Sequence, residues 1–412
     1  MEQKNYRALL SQRQYIKLLL ADLINRFGDS LDTVAYSWIM YEVTGSASLM
    51  ALVVGLNYLP TVFLMPIAGA FVDRMNKKKV MIAADVMRFL IVAAIVILYG
   101  AGLLNAVIIA ALTLLTSTVE AFRIPAGGAI LPRLLEKEYF TLGKAANYSS
   151  SRMAELLGYV LAGLIIAWIG ASGALWIDAI TFLLSALMIS SIRYRDEKAN
   201  EVRSVKAISK DFAAGLRFVK ASKAVQTIAL IGLLINFGIM PLSVFQTPYV
   251  SDYLQMGPSV LSYIKILMTV GMMIGAAVLP KLQLSRRDRV VVLTGIGMGL
   301  TLIIMCITPR IPAYVVKMIA LTISMFFIGA GGGILNVVVG STMMKAVPQE
   351  MMGRVSAFNA AIMQASMPIA SFICSGLALR LSVTHILGVF GVLTILSYLV
   401  LFFTRKLQNI DI

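Results

Sequence analysis

Four ionisable side chains stand in the first apolar segment of the sequence, where a charged group is costly. Asp22, Arg26 and Asp29 follow i, i+4, i+7 spacing, which places them on one face of a helix, and Asp32 lies one turn beyond Asp29. In a bilayer each such group costs ~2.5 to 3.5 kcal/mol by insertion scales, so ionisable residues there mark ion or substrate pathways by default. This face is therefore predicted to look into a helix bundle or an aqueous cavity.

The chemistry expected of these residues is ion pairing and proton binding. Asp22 and Arg26 are interpreted as a structural pair near one end of the segment. Burial favours the neutral form of a carboxyl group and a nearby cation favours its charged form, so a carboxylate whose surroundings change can bind and release a proton. Asp29, with Asp32 as its alternate, is the first candidate for such a group. A purely structural role is the other interpretation of both.

Further charge pairs, one helical turn apart, occur in later apolar segments. Their opposite signs fit either static pairs within one helix or a network exchanged between helices. Glu120 and Glu155 are the next candidates for proton binding after the first segment. The pairs are Asp85 with Arg88, Glu120 with Arg123, and Arg152 with Glu155.

The composition predicts that membrane-spanning helices position these residues. Of the 412 residues, 59% are hydrophobic and 14% are charged, whereas a soluble domain carries about 25% charged residues. A hydrocarbon core of ~30 Å takes about 20 residues of helix, and the sequence divides into about twelve apolar segments of that length. Helix is the only open architecture that satisfies every backbone polar group in lipid. We therefore expect an all-α integral membrane protein.

The positive charges of the chain fall between apolar segments rather than along one face of a domain. The formal net charge is +16, but this spacing argues against nucleic acid as a partner. Lys and Arg residues are retained on the cytoplasmic side of a membrane, and here they cluster in alternate connections. Both termini are therefore expected in the cytoplasm, with an even number of spans in the inner or plasma membrane.

A polar stretch divides the apolar segments into two sets of six. Within it Phe212, Leu216 and Val219 recur at helical spacing, which predicts an amphipathic helix on the membrane surface. Weak internal symmetry between the two sets is typical of duplicated transporter halves. The predicted organisation is an N-terminal six-helix half over 1–192, a cytoplasmic linker over 193–223 and a C-terminal six-helix half over 224–412.

The C-terminal half supplies neutral polar side chains in place of charges. Hydrogen bonds between helices explain most such residues, but amides inside a bundle are also candidates for substrate contact. The glycine-rich run from Gly329 to Gly333 predicts a close helix crossing or a hinge, and packing is the better-supported interpretation. The amide candidates are Asn236, Gln246, Asn336, Asn359 and Gln364.

Several chemistries have no signature in the sequence. There is no GxxxxGK(S/T) phosphate loop, and with a single histidine, His385, there is no HExxH zinc site. Cys306 and Cys374 each stand inside an apolar run, so neither a disulfide framework nor a cysteine metal site is available. We expect no enzyme activity, no cofactor and no metal site, and we expect energy to come from an ion gradient.

The stretch GAFVDRMNKKKVM, from Gly69 to Met81, resembles the loop between the second and third helices of the major facilitator superfamily, GxxxD(R/K)xGR(K/R). Asn76 stands where that pattern has glycine, and asparagine also tolerates a left-handed turn. Lys77 stands where the pattern has arginine. The resemblance implies a fold of twelve transmembrane helices in two six-helix halves. It also implies a conformational latch in which Gly69 lets two helices approach closely, formed by Gly69, Asp73, Arg74, Lys77 and Arg354.

Longer stretches resemble the drug-efflux branch of that superfamily, which includes macrolide exporters, and more loosely siderophore exporters. They include FGDSLDTVAYSWIMYEVTGSAS, RIPAGGAILPRLLEKEYFTLGKAANYSSS and WIDAITFLLSALMIS. The resemblance implies secondary active transport, namely proton-coupled export of amphipathic small molecules such as macrolide-like drugs, by alternating access. We expect a monomer whose partners are a small-molecule substrate, protons and the lipid bilayer.

Two other functions stay open at this point. Export of a siderophore or a divalent metal ion is one, because Asp29 and Asp32 offer the oxygen ligands that a hard cation prefers. A membrane scaffold or receptor that transports nothing is the other, and it would need no charges at the middle of the membrane.

Overall fold

The computed structural model describes residues 6–193, 216–279, 287–348, 351–404 and 407, and these residues contain helices and no strand. The helices α1 to α13 are, in chain order, Tyr6–Ser11, Arg13–Thr44, Ala47–Phe63, Met65–Arg74, Lys77–Gly100, Ala106–Leu134, Phe140–Ser190, Lys223–Pro248, Ser259–Val278, Arg287–Ile307, Tyr314–Ala346, Met352–Ala378 and Val383–Phe403.

Nine helices of the described residues, α5 to α13, are long and apolar enough to cross a membrane. The 32-residue α2 carries the charged face of the first predicted span, and α3 with α4 covers the second. The all-helical membrane fold predicted from composition is confirmed. The count of twelve spans stays a prediction.

The 51-residue α7 folds back on itself at Gly170, where φ is 75° and ψ is 171°. Glycine adopts this conformation at little cost. A straight helix of this length would extend about 75 Å. Yet the Tyr15 hydroxyl donates to the Gly143 carbonyl at 2.8 Å, and Lys17 Nζ donates to the Ser191 carbonyl at 2.8 Å. Both ends of α7 therefore lie beside the start of α2, and α7 is a hairpin that contains the fifth and sixth predicted spans.

The predicted second span is interrupted near its middle. The helix α3 ends at Phe63 and α4 begins at Met65, with Pro60 and Pro66 on either side of the break. A proline has no N–H to donate, and its ring clashes with the carbonyl four residues earlier. Two prolines six positions apart therefore end one helix and start another.

Asn76 begins α5 as its N-cap. Its side chain accepts a hydrogen bond from the Lys79 amide at 3.0 Å, an interaction worth ~1 kcal/mol in typical helices. Its backbone is extended, with φ −70° and ψ 107°. Asn76 therefore does not adopt the left-handed turn that asparagine tolerates, and it fits this position as a helix cap.

The chain divides into two compact units, of which each has its own core. In the second unit the start of α3 contacts α12, where the Ser371 hydroxyl donates to the Ala51 carbonyl at 2.6 Å and the Ser48 hydroxyl to the Ser375 carbonyl at 2.9 Å. The first unit consists of Met1–Gly45 and Leu59–Lys206, and the second of Ser46–Tyr58 and Ala207–Ile412.

Most of the predicted linker, residues 194–215 with Phe212 among them, lies outside the described residues. Residues 216–221 are helical. Val219 is buried, and the half-buried Leu216 packs against the same core cluster of the second unit. In the part that is described, the apolar side of the predicted amphipathic helix is covered by protein.

The close helix crossing predicted at Gly329–Gly333 is present between α9 and α11. A Cβ on Gly329 would lie 2.1 Å from the carbonyl oxygen of Met268, and one on Gly333 would lie 2.1 Å from that of Met272. In lipid, helices associate through such van der Waals packing of small residues, since no hydrophobic effect separates them from the acyl chains. The two backbones are therefore in contact, which leaves no room for a side chain.

Gly333→Ala is expected to lower the melting temperature of the detergent-purified protein by several degrees, because the added methyl group would force α9 away from α11. Gly340→Ala in the same helix is the matched control, since its Cβ would meet no atom within 4 Å. The control should melt at the same temperature or higher, as alanine is about 1 kcal/mol better than glycine in a helix. Thermal unfolding of both variants is monitored by tryptophan fluorescence. Equal melting temperatures would contradict the crossing.

Candidate functional site

Two buried arginines connect the carboxylates of the first unit across its helices. Arg123 on α6 reaches Asp85 on α5, with Nε 2.5 Å from Oδ1, and it also reaches Asp22 on α2, with Nη2 3.7 Å from Oδ1. Asp85 is fully buried. It accepts further hydrogen bonds from the Ser185 hydroxyl at 2.7 Å and from Asn25 Nδ2 at 3.2 Å. These donors fully compensate a charged carboxylate at Asp85.

Arg88 on α5 is the second buried cation. Its Nη2 lies 2.7 Å from Asp29 Oδ1 on α2, and its Nη1 donates to Asn25 Oδ1 at 3.3 Å. The guanidinium carbon lies 4.0 Å from the ring centre of Phe182 on α7, a contact that is favourable where water is excluded. Asn25 therefore joins the two arginine sites, because it accepts from Arg88 and donates to Asp85.

Asp22 does not have the partner predicted for it. It pairs with Arg123 and accepts a hydrogen bond from Asn147 Nδ2 at 3.2 Å. Arg26, the predicted partner one turn away, is exposed and forms no ion pair within the described part of the chain. Asp29 pairs with Arg88 on α5.

Of the two interpretations that the sequence left open, Asp85 and Arg88 show pairing between helices rather than a static pair within one helix. Asp85 and Arg88 lie one turn apart on α5 but pair with α6 and α2 respectively. Glu120 forms no ion pair with Arg123 among the described residues. Side chains three or four positions apart are neighbours on an isolated helix. In a bundle, the five donors of one arginine can satisfy carboxylates on several helices at once.

The pair of Arg152 and Glu155 on α7 follows its spacing. Arg152 Nη1 lies 2.7 Å from Glu155 Oε2, and the arginine side chain is 35% exposed. Its guanidinium carbon also lies 5.4 Å from the ring centre of Tyr148. This pair is local and partly hydrated, unlike the two interhelical sites.

The carboxyl groups around Arg88 outnumber the available cations. Asp29 holds it directly, while Glu120 and Asp178 lie within its electrostatic reach, as does Asp32. Among the described residues the last three have no ion-pair partner. An unpaired buried charge costs several kcal/mol, and Asp178 is the fully buried member of the three, whereas Asp32 and Glu120 are half-buried. An ionised Asp178 is therefore the most costly of these carboxylates.

Two adjoining cavities of the first unit lie beside this network. One of about 250 Å³ is lined by Asp29, Arg26 and Arg123. The other, of about 630 Å³, shares Arg26 and is also lined by Tyr148 and Glu155. The Asp29 side chain is 24% exposed. Of the carboxyl groups around Arg88, it is Asp29 that lines the smaller cavity.

Comparison with protein families assigns this architecture. The family model of the Major Facilitator Superfamily matches residues 18–371. The chain belongs to this superfamily. It is therefore a multi-pass membrane transporter rather than an enzyme, as the loop motif implied.

Relatives within the superfamily include drug pumps. The multidrug efflux pump Tap of Mycolicibacterium fortuitum is 27% identical over 370 residues, which are 88% of each chain. Macrolide efflux protein A of Streptococcus pyogenes is 23% identical over 384 residues, which are 92% of this chain and 93% of the relative. A solved structure of the nucleoside transporter NupG superposes with a TM-score of 0.74 at 12% identity, over 95% of this chain and 98% of that one. That structural likeness concerns the fold alone.

The latch residues of the superfamily motif are described only in part. The side chains of Asp73 and Arg354 are not among those that the structure describes. Arg74 is exposed, and Lys77 is buried, with 2% of its surface exposed. A Cβ on Gly69 would meet no atom within 4 Å. The close helix approach expected at Gly69 stays a prediction. The latch itself stays a prediction.

The structure brings together two of the five candidate amides of the C-terminal half. Asn236 Nδ2 donates to the Met363 carbonyl at 2.9 Å, and Asn359 Nδ2 lies 3.3 Å from Met363 Sδ. Gln246 is buried with Nε2 3.6 Å from Met268 Sδ. The other two candidates are Asn336, which is exposed, and Gln364, which is half-buried.

A cavity of about 270 Å³ in the second unit is lined by other residues, from α8 and α13. Its lining combines aromatic rings with hydroxyl groups, including Phe237, Phe390, Ser397 and Tyr398. None of the candidate amides lines this cavity, so their role in substrate contact stays a prediction.

Sequence reasoning missed Asn25, Phe182 and Ser185, which complete the charge network. Asn25 lies on the same helix face as Asp22 and Asp29. Positions 178, 182 and 185 follow i, i+4, i+7 spacing, so one face of the sixth span carries Asp178, Phe182 and Ser185. That pattern was available in the sequence and indicates a face directed into the bundle.

Arg123→Gln is expected to destabilise the protein strongly, because fully buried Asp85 would lose its cation. Breaking a buried pair by removing one partner costs about 3–5 kcal/mol. The double variant Arg123→Gln with Asp85→Asn should recover most of that loss, since it leaves no unpaired charge in the core. Thermal unfolding in detergent measures both effects.

Arg152→Gln is the control for this pair of variants. Its ion pair is partly exposed, and such pairs contribute at most about 1 kcal/mol. A double variant no more stable than Arg123→Gln alone would show that charge compensation at Asp85 is not what stabilises this region.

Proposed function

We propose that this superfamily member exports amphipathic small molecules, macrolide-like drugs first among them, in exchange for protons. The observation that carries the proposal is the charge network of the first unit, where four carboxyl groups surround Arg88 next to a cavity. Such a cluster can hold protons inside the membrane. Alternating access, typical of transporters built from duplicated halves, would then couple proton entry to substrate exit.

Asp29 is the carboxylate best placed to exchange protons with the cavity. It lines the cavity and contacts Arg88 at 2.7 Å. While Asp29 is ionised, this cation stabilises it and joins α2 to α5. Once Asp29 binds a proton, the attraction is lost and Arg88 is released. A single proton thereby changes how two helices of the first unit are held together.

The two relatives support a drug as substrate, since one is a multidrug efflux pump and the other a macrolide efflux protein. The larger cavity supports an amphipathic molecule, because its lining combines Leu131 and the aromatic ring of Tyr148 with the ion pair of Arg152 and Glu155. Asn236 and Asn359 are the substrate contacts that we propose in the second unit. Met363 between them is an adaptable apolar surface.

Export of a divalent cation has less support than drug export. The Asp29 carboxylate already holds Arg88, so a cation would have to displace a guanidinium. The described residues contain no group of three or more His, Cys, Asp or Glu side chains placed to share one ion.

We place both termini and the linker in the cytoplasm. The start of α2 and both ends of α7 lie on one side of the first unit, as the hydrogen bonds of Tyr15 and Lys17 require. Positive residues cluster in the connections on that side, including Arg133 and Lys144. Retention of positive charge on the cytoplasmic side supports this orientation for a monomer in the cell membrane.

Asp29→Asn is expected to abolish transport of radiolabelled erythromycin driven by a pH gradient in proteoliposomes, because the amide keeps the shape of the side chain and cannot titrate. Binding of erythromycin should persist and vary little between about pH 5 and pH 8, the range in which a coupling group would titrate.

Wild-type protein with and without a protonophore is the control for the driving force, and a sodium gradient at constant pH tests the coupling ion. Wild-type flux that does not depend on the pH gradient would contradict proton coupling. Normal pH-driven flux in both Asp29→Asn and Asp32→Asn would remove α2 from the coupling mechanism and leave Glu120 or Glu155 as the next candidates.

A further inference from the structure

Asp178, in the second arm of the α7 hairpin, is a buried carboxyl group that the proposed function does not yet use. It is fully buried, and its Oδ2 has no hydrogen-bond partner among the described residues. Its Oδ1 is 3.5 Å from the hydroxyl of Thr181. A carboxyl oxygen without donors, in a site that water does not reach, is expensive when it is charged.

A second buried polar atom without a partner belongs to Arg88. Its Nε is a donor with no acceptor among the described residues, although its Nη2 holds Asp29. Arg88 and Asp178 lie within electrostatic reach of each other. The ring of Phe182, one turn along α7 from Asp178, lies against the Arg88 guanidinium. An unused donor and an unused acceptor of opposite charge thus lie within electrostatic reach of each other in the core.

Each neighbouring helix contributes a group to the surroundings of Asp178. Asp29 and Asp32 act on it from α2, and Arg88 acts on it from α5. Glu120 on α6 adds a further carboxyl group around Arg88. With one guanidinium for these four carboxyl groups, pairing of Arg88 with Asp29 leaves Asp178 uncompensated.

Close packing of α2 keeps Asp178 in this position. A Cβ on Gly28 would lie 2.4 Å from Asp178 Oδ1 and 2.0 Å from the Thr181 hydroxyl. Gly28 is next to Asp29 in the sequence. Any movement of α2 along α7 therefore changes the surroundings of both carboxyl groups together.

We propose that Asp178 is a second proton-binding site of the first unit and that Arg88 alternates between Asp29 and Asp178. In the state described, Asp29 is ionised and pairs with Arg88 while Asp178 is protonated. In the other state, Asp29 is protonated and Arg88 pairs with ionised Asp178. In the change from the first state to the second, the proton passes from Asp178 to Asp29, so the cluster keeps the same charge in both states, and Asp29 exchanges protons with the cavity that it lines. This inference rests on the proposed proton coupling, and it adds the site that holds the proton when Asp29 does not.

The test measures the proton directly, by the infrared band of protonated carboxyl groups in purified full-length protein at neutral pH. Asp178→Asn should remove intensity from that band, keep the melting temperature near that of the wild type and abolish pH-driven flux of erythromycin. Asp85→Asn is the matched control, since Asp85 is as deeply buried but is ionised and paired with Arg123. It should lower the melting temperature and leave the band unchanged.

Persistence of the full band in Asp178→Asn, or normal pH-driven flux in that variant, would overturn the second site. Should Asp178→Asn fail to fold, Thr181→Val tests the same proposal. Loss of the hydroxyl should shift the frequency of the infrared band only if Asp178 carries the proton. Failure of the proposed function is a different outcome, in which wild-type flux itself ignores the pH gradient.

Discussion

The first unit must balance charge where most of its side chains are shielded from water. Two arginines are shared among six carboxyl groups on four helices, and binding of protons would neutralise part of the excess. Arg123 pairs with Asp85, whose carboxylate also accepts hydrogen bonds from Ser185 and Asn25. Arg88 pairs with Asp29 of the other set, while Asp32, Glu120 and Asp178 have no ion-pair partner among the described residues. Asn25 links the two sets through its hydrogen bonds with Arg88 and Asp85.

Small residues on α2 and α7 let these two helices pack closely, which keeps the carboxyl groups of α2 near the two arginines. A Cβ on Gly158 would lie 2.6 Å from Ser30 Cβ and 2.8 Å from the Phe27 carbonyl oxygen. On the same helix α2, Gly28 lies against the other arm of α7. These contacts hold α2 between the two arms of the hairpin. The charged face of α2 is then fixed toward α5 and α6, which carry the arginines.

Much of this architecture could be predicted from the sequence, and the reason for each success or failure is physical. Apolar length and composition determine helices in lipid, and the packing role of Gly329–Gly333 follows from residue size alone. The candidate positions Asp29, Asp32 and Glu120 lie in one cluster around Arg88, but their partners were not predictable from spacing within a helix. A partner across a bundle depends on how helices are rotated and on the reach of an arginine, and neither is visible in a single sequence.

The reversal of α7 at Gly170 has a consequence for how the protein is made. Two apolar arms joined by so short a turn enter the bilayer as one helical hairpin, and their apolar residues offset the cost of inserting Asp178. Because synthesis runs from the N-terminus, α2, α5 and α6 are made before the hairpin is. Until the hairpin docks, Arg88 has no aromatic ring against it and Asp85 lacks the Ser185 hydroxyl. Biogenesis of the first unit is therefore complete only when the α7 hairpin packs against the charged side chains of helices that are already in the membrane. A nascent chain stalled before Gly170 would leave those charged side chains exposed to the cell's quality control.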